Sequence, residues 1–270
     1  MPKFNTPEPI TAMVEISAGS VSLIATDRDD TVVDVRPRDA SRSHDVKAAE
    51  QMRVDFSNGT LRVSSQRGFS FPRRGAVVVD IALPAGSRLN ASAASANITA
   101  DGRYTDCKFA SASGDLTVGS VLGNLKAETA SGGITVHDVN GSASVSTASG
   151  DVTMDALDGE MKFRAASGSL KVSHLRGNIN SQTASGDVAV ATAISGSVSA
   201  QTASGEVVVG IAEGTAAQLD LRTRSGKVRN SLTESDGPAD GDETLVVHAR
   251  TASGDVVVQR AFQAGPVTTS

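Results

Sequence analysis

The sequence predicts an all-β protein, a right-handed β-solenoid (β-helix-like) with ~18-residue coils and two strands in each coil. Two features of the sequence and one of the composition carry that reading. The phrase Ala-Ser-Gly recurs at a constant step of 18, at Ala112-Ser113-Gly114, Ala130-Ser131-Gly132, Ala148-Ser149-Gly150, Ala166-Ser167-Gly168 and Ala184-Ser185-Gly186. Steps of 19 and then 49 lead to Ala203-Ser204-Gly205 and Ala252-Ser253-Gly254, and Arg224-Ser225-Gly226 keeps the Ser-Gly between them. A second series, Gly123, Gly141, Gly159 and Gly177, sits halfway between the copies, and Gly196 continues it one position late. Finally, 270 residues contain 26 Gly, 7 Phe, one Tyr and no Trp, so the core must be thin and made of small side chains.

Between the glycines apolar residues alternate, as in Leu116/Val118, Ile134/Val136, Val152/Met154, Leu170/Val172 and Val188/Val190. A second set alternates after the second glycine: Leu125/Ala127, Ala143/Val145, Met161/Phe163 and Ile179. Period-two alternation between Gly-marked corners reads as half-buried strands. The parity slips between Val136 and Val139 and again between Val145 and Ala148, which marks a corner on each side. One such unit cannot bury its apolar face alone, but coils stacked about 4.8 Å apart share one core and pair their backbones. A β-sandwich is the competing architecture, although sandwiches rarely hold one residue pattern at fixed register. The handedness follows from the preference of parallel β crossovers. Gly114, Gly132, Gly150, Gly168, Gly186, Gly205, Gly226 and Gly254 are the predicted turn residues, and Phe109 and Phe163 the rings predicted inside the coils.

The elements before the repeat follow the same logic with longer excursions. Val14 and Ile16 alternate into Ala18-Gly19-Ser20-Val21-Ser22-Leu23, which mimics a repeat opening. Thr31 to Val35 reads as a strand, and Ser43 to Gln51 as one short helix capped at Ser43. Arg53 to Val63 reads as a hairpin turning at Asn58-Gly59, a type I′ signal. Ala76 to Leu83 is an apolar strand ended by Pro84-Ala85-Gly86. Ser95 precedes Ser113 by the spacing of the repeat, and in that register Ile98, Ala100, Cys107 and Phe109 point inward, so Cys107 reads as a small buried apolar residue. The organisation expected is a single β-solenoid domain over 1–270. It has irregular N-terminal coils at 10–92 and regular repeats at 93–229. A loop insertion at 230–243, a final coil at 244–260 and a flexible tail at 261–270 complete it.

Several function classes fall away on composition. A net charge of −5 argues against nucleic acid, whose phosphates need clustered Lys and Arg. One cysteine excludes an internal disulfide framework, and no apolar run approaches the length of a membrane-spanning helix. The opening Met1-Pro2-Lys3-Phe4 lacks the apolar core of a secretory signal, which predicts a cytoplasmic location. The four histidines fall at unrelated repeat phases, and no metal-ligand spacing, nucleophile elbow or phosphate loop is present. No catalytic residue, metal or cofactor is therefore predicted. Asp115, Gly133, Asp151, Ser169, Asp187 and Glu206 follow the corner glycines. Alternating acids in this way keeps like charges two coils apart, as expected of a solvated turn; calcium between turns is the competing reading, without the nonapeptide that such rolls use. The loop at Arg67, Phe69, Phe71, Arg73 and Arg74 mixes aromatics with cations between Gly and Pro. It reads either as a cap over an open first coil or as an interaction loop for a partner or another copy.

The phrases Thr147–Val152, Thr183–Val188 and Thr251–Val256, with Phe4-x-Thr6-Pro7-Glu8-Pro9-Ile10 and Asp27-Arg28-x-Asp30-Thr31-Val32-Val33-Asp34-Val35-Arg36-Pro37, resemble a bacterial, chiefly actinobacterial, β-strand-repeat family. It carries the label "putative adhesin" and is a domain of unknown function. The resemblance covers nearly the whole chain and implies a β-solenoid with an adhesin-like label and no catalytic residues. The function expected is a non-catalytic interaction or scaffold protein, binding a protein partner or self-associating through its coil ends or flat faces. A surface adhesin recognising glycan or protein is the alternative, and a carbohydrate-active β-helix enzyme the weaker one.

Overall fold

A computed structural model describes residues 1–65, 75–233, 237–238 and 241–261. The chain divides into two compact units, Met1–Gly150 and Asp151–Ser270. Both are β-solenoids of stacked, parallel coils. The tail expected at 261–270 lies, beyond Ala261, outside the described residues.

The first unit contains β1 (Lys3–Asn5), β2 (Thr11–Thr26), β3 (Asp30–Pro37), α1 (Ser43–Glu50), β4 (Met52–Ser57), β5 (Thr60–Ser65), β6 (Val77–Pro84), β7 (Ser87–Ser113), β8 (Leu116–Val121), β9 (Asn124–Ser131) and β10 (Ile134–Ser149). From β7 onward each coil pairs with the next in parallel, residue i opposite i+18: Ile98 with Leu116, Leu116 with Ile134, Cys107 with Leu125, and Leu125 with Ala143. The start is interlaced. One edge of β2 pairs in parallel with β7, and its other edge pairs with β5 in the first half and β6 in the second. The N-terminal coil therefore lies one layer inside the stack, beneath a coil that comes later in the chain. Antiparallel strands finish that outer coil: β4 on β5, β3 on β6, and β1 on β3. The β4–β5 hairpin turns at Asn58 (φ 48°) and Gly59 (φ 70°), as the type I′ signal requires.

The second unit contains β11 (Val152–Ser167), β12 (Leu170–Ser185), β13 (Val188–Ser204), β14 (Val207–Ile211), β15 (Thr215–Ser225), β16 (Val228–Asn230), β17 (Glu243–Ser253) and β18 (Val256–Arg260). Pairing of β11 with β12 keeps the same i to i+18 offset throughout. Between β12 and β13 the offset lengthens by one after Leu175, where Ile194 is the extra residue. Its carbonyl accepts a hydrogen bond from the buried Thr215 hydroxyl at 2.7 Å, so the bulge leaves no orphan there. The end of this unit is interlaced as well. β17 pairs with β13 on one edge and β15 on the other, while β18 lies between β14 and β16. The last coil of the sequence is thus enclosed, and the coil of β15 and β16 is outermost.

The inward side chains are those that the alternation marks, including Phe109, Phe163, Cys107 and the Val, Leu and Ile pairs. Tyr104 is fully buried too; its hydroxyl donates to the Asp101 carbonyl at 3.1 Å. In the regular coils the two strand-like halves run as one 16-residue strand. Gly141 (φ 142°) and Gly177 (φ 130°) bend it without breaking it. One parity expectation needs correction. The alternation does not slip between Val145 and Ala148: Thr147 is buried and Ala148 exposed, so the corner starts only after the threonine. The helix also differs at its start, since Arg42 is the N-cap and makes no side-chain capping bond.

At the N-terminus Asp30 bonds Lys3 Nζ at 2.9 Å and Arg28 Nε at 2.6 Å, which ties β1 to β3. The hydrogen bonds from Lys3 and then Arg28 hold the Asp30 carboxyl below its ordinary value. A carboxyl depressed in the folded state adds stability above its unfolded pKa, and that stability is lost as pH falls through the folded value. In Asp30→Asn, amide exchange at Phe4 should be faster than in the wild type at neutral pH, with the difference vanishing in acid. Equal rates at neutral pH would contradict the anchor. Phe163→Ala should cost about 3–5 kcal/mol by denaturant unfolding, whereas a loss below about 1 kcal/mol would mean the ring is not packed in the coil.

Candidate functional site

Helix α1 packs on β3 and β6 in the first unit and roofs a cavity of about 390 Å³. His44, Ala48, Gln51 and Met52 line it from the helix side, and Ala18, Val77, Ala94 and Ser95 from the coils. Two interactions hold the helix in place. Asp45 is 4% exposed and its Oδ1 accepts the Ala76 N–H at 2.8 Å. At Gly75 a Cβ would lie 2.4 Å from the His44 carbonyl oxygen and 2.6 Å from Ala48 Cβ, so only glycine lets the chain pass this close. Ser65 and Gly75 both sit on the cavity lining. The predicted interaction loop, Arg67, Phe69, Phe71, Arg73 and Arg74, connects those two residues and lies outside the described residues. The sequence pointed to the helix, and nothing in its periodicity revealed the cavity beneath it.

The corner residues form a second constellation. Asp115 Oδ1 accepts the Gly133 N–H at 2.9 Å, and Asn97 Oδ1 accepts the Asp115 N–H at 3.0 Å. In the second unit Asp151 takes the Ser169 N–H, Ser169 Oγ the Asp187 N–H, Asp187 the Glu206 N–H, and Asp255 the Lys227 N–H, all at 2.8–3.2 Å. These corner side chains thus accept the amide of the equivalent corner in the adjoining coil. Alternation of acids is therefore more than charge avoidance. One carboxylate oxygen of each of Asp115, Asp151, Asp187 and Asp255 accepts a backbone N–H while the corners stay exposed or half-exposed. This arrangement fits solvated turns, and the preference for Asp, Asn and Ser, all short acceptors, signals it.

Among the predicted turn residues, Gly114, Gly132, Gly186, Gly205 and Gly254 adopt φ between 120° and 159°. A Cβ at Gly150 would sit 2.3 Å from the Gly132 carbonyl oxygen, and one at Gly226 2.0 Å from that of Gly254. Gly168 occupies the equivalent break, its N–H donating to the Ser185 carbonyl at 3.0 Å. Thr202, Thr223 and Thr251 turn inward beside these corners and donate to the carbonyls of Gly186, Gly254 and Gly205. Cys107 is buried and its thiol is pushed up to about 12, chiefly by burial and then by the Asp106 charge, which removes thiolate character at neutral pH.

The outer wall of the second unit carries a regular array of polar side chains. Strand register places Arg164, Gln182, Gln201, Arg250 and Arg222 in one column, and Lys162, Asn180, Ser199, His248 and Asp220 in the next. Steps within a column are about 4.8 Å. Asp220 lies 2.9 Å from Arg222 Nε, 3.4 Å from Arg250 and 3.7 Å from His248 Nδ1. Partial burial pushes its carboxyl up, but the Arg222 and Arg250 guanidiniums outweigh that and hold it below the ordinary value. Such an array can hydrogen-bond a flat ligand surface; it brings no nucleophile and base together.

The family model described as Toastrack DUF4097 matches residues 12–259. No curated protein matches the chain. Among solved structures, a "putative adhesin" from Bacteroides fragilis is similar at 12% identity and TM-score 0.47, covering 96% of this chain and 95% of its own. A "putative lipid binding protein" from Parabacteroides distasonis is similar at 11% identity and TM-score 0.44, with 97% and 96% covered. A "putative adhesin" from the same species has 13% identity, TM-score 0.41 and coverage of 96% and 95%. No described helix is long and apolar enough to cross a membrane.

Replacing Asp187 tests the corner chemistry. Asp187→Ala should lose about 1 kcal/mol by thermal or denaturant unfolding, while Asp187→Asn, which keeps an acceptor oxygen, should stay close to wild type. A melting temperature that rises with added calcium in the wild type, but not in either variant, would instead assign the corners to metal.

Proposed function

The chain belongs to the Toastrack DUF4097 family, and we propose that it is a non-catalytic interaction protein, a rigid β-solenoid scaffold that binds a protein partner in an adhesin-like way. The observation that carries this is the outer wall of β11, β12, β13, β17 and β15. Backbone pairing fixes the spacing of its guanidinium, amide and hydroxyl groups. The inward residues fill the core, so the wall side chains project outward, away from it. A prearranged wall loses little conformational entropy on binding, which favours recognition of an extended surface. Arg and Gln on a flat sheet suit carboxylates and peptide groups, and Arg is enriched at protein interfaces. Glycan hydroxyls could satisfy the same donors, which keeps a glycan-binding adhesin as the second reading.

Affinity capture from the native host, with the wild type beside Gln182→Ala/Gln201→Ala/Arg250→Ala, tests the proposal. A protein retained by the wild type and lost by a triple variant of unchanged melting temperature is the expected result. Capture unaffected by the triple change would overturn the wall assignment. Retention by immobilised glycan that depends on the same three residues would favour the second reading, and turnover of a polysaccharide by the purified chain would refute the non-catalytic one.

A further inference from the structure

Among the described residues, the coil of β15 and β16 lacks the finish that β1, β3 and β4 give the first unit. Among the described residues β15 pairs only with β17, leaving its other edge open. The inward side chains show the consequence. Leu219 and Leu221 are half-buried, whereas Val247 and Ala249, their register partners on β17, are fully buried. Val228 is 46% exposed, while Val256 beside it is buried. β15 carries no proline and no inward charge, the usual devices against edge pairing.

We propose that this edge is a dimerisation surface whose occupant is β15 of a second copy, paired antiparallel across a two-fold axis at Leu221. This deepens the reading of the chain as an interaction protein, and rests on it. Charge selects both the partner and the register. An isologous contact needs a self-complementary strip, and both apolar faces must point the same way, which limits the pairing to alternate registers. With Leu221 opposite Leu221, Asp220 faces Arg222 of the copy, Arg222 faces Asp220, and Gln218 faces Arg224. Sliding two positions in either direction sets Asp220 against Asp220, or Arg222 against Arg222, on the axis. Like charges directly opposite are destabilising, so the register at Leu221 is favoured over both. Arg222 is 68% exposed at its side chain and retains donors beyond its bond to Asp220. The pairing would also cover Leu219, Leu221 and the open backbone groups.

Sedimentation or light scattering of the full chain over a concentration series tests this. The wild type should reach a dimer. Asp220→Arg and Arg222→Asp, each checked by circular dichroism and melting temperature, should each weaken the dimer at least about tenfold, through like charges across the axis. Mixed one to one, the two variants should form a heterodimer, because the Arg at positions 220 and 222 of one then each meet an Asp of the other. A wild type that stays monomeric at the highest concentration reached, a dimer indifferent to both reversals, or a mixture that remains monomeric would each overturn the proposal. None of those results bears on capture through the wall, so the edge and the broader interaction reading can fail separately.

Discussion

The architecture of this protein depends on parallel pairing that sets equivalent residues of adjoining coils side by side. A single coil leaves its backbone donors and acceptors open on both edges and half its side chains without a core. Stacking settles both at once, and only if equivalent residues meet. That is why Gly stacks on Gly: the Gly132 Cα lies where any Cβ would strike the Gly114 carbonyl, and Gly177 stands in the same relation to Gly159. It is also why one added residue, Ile194, must be looped out as a bulge rather than passed along the ladder. A register error of one residue would turn Val, Leu and Ile to solvent along a whole wall.

The repeat made the architecture legible because the same constraint writes itself into every coil. Inward positions, turn glycines, the Asn58-Gly59 hairpin and the short helix are local signals, and each agrees with the fold. What stayed hidden is non-local. Thr147 points inward at a position where the Ala-Ser-Gly phrase suggested that the corner had begun, because a threonine next to a corner is read as polar although its methyl packs inside. The interlacing of β2 and of β17 with β18 leaves the repeat pattern of each coil unchanged, so periodicity carries no trace of which coil lies beside which. The long step from Ala203 to Ala252 was its sole mark, since Ser204 stacks directly on Ser253. The cavity under α1 arises from a helix crossing coils that are far away in sequence, and no spacing encodes it.

The candidate functional surfaces differ in how they are built. The cavity is roofed by an element outside the coil pattern and pinned by the buried Asp45. The wall and the β15 edge are products of the repeat itself. Corner carboxylates look at first like a ligand-binding row, but one oxygen of each of Asp115, Asp151, Asp187 and Asp255 accepts an amide of the adjoining coil. Geometry therefore distinguishes acids that bond backbone amides of adjoining coils from the Arg and Gln side chains that project from the wall, although both recur at the same spacing.

Interlacing at the C-terminus has a consequence for biogenesis. β15 and β16 leave the ribosome before β17 and β18, yet their only described sheet partners are those later strands. During synthesis the second unit can add coils in order as far as β14, and must then wait, because the neighbour of β15 has not yet been made. Closure of this unit waits until β17 and β18 have been made, when their coil slides into a slot already bordered on one side. A chain that stalls or is cut after Asn230 would carry an unmatched coil with open edges, whereas one that extends through Arg260 can enclose β17 and β18 between neighbours made before them.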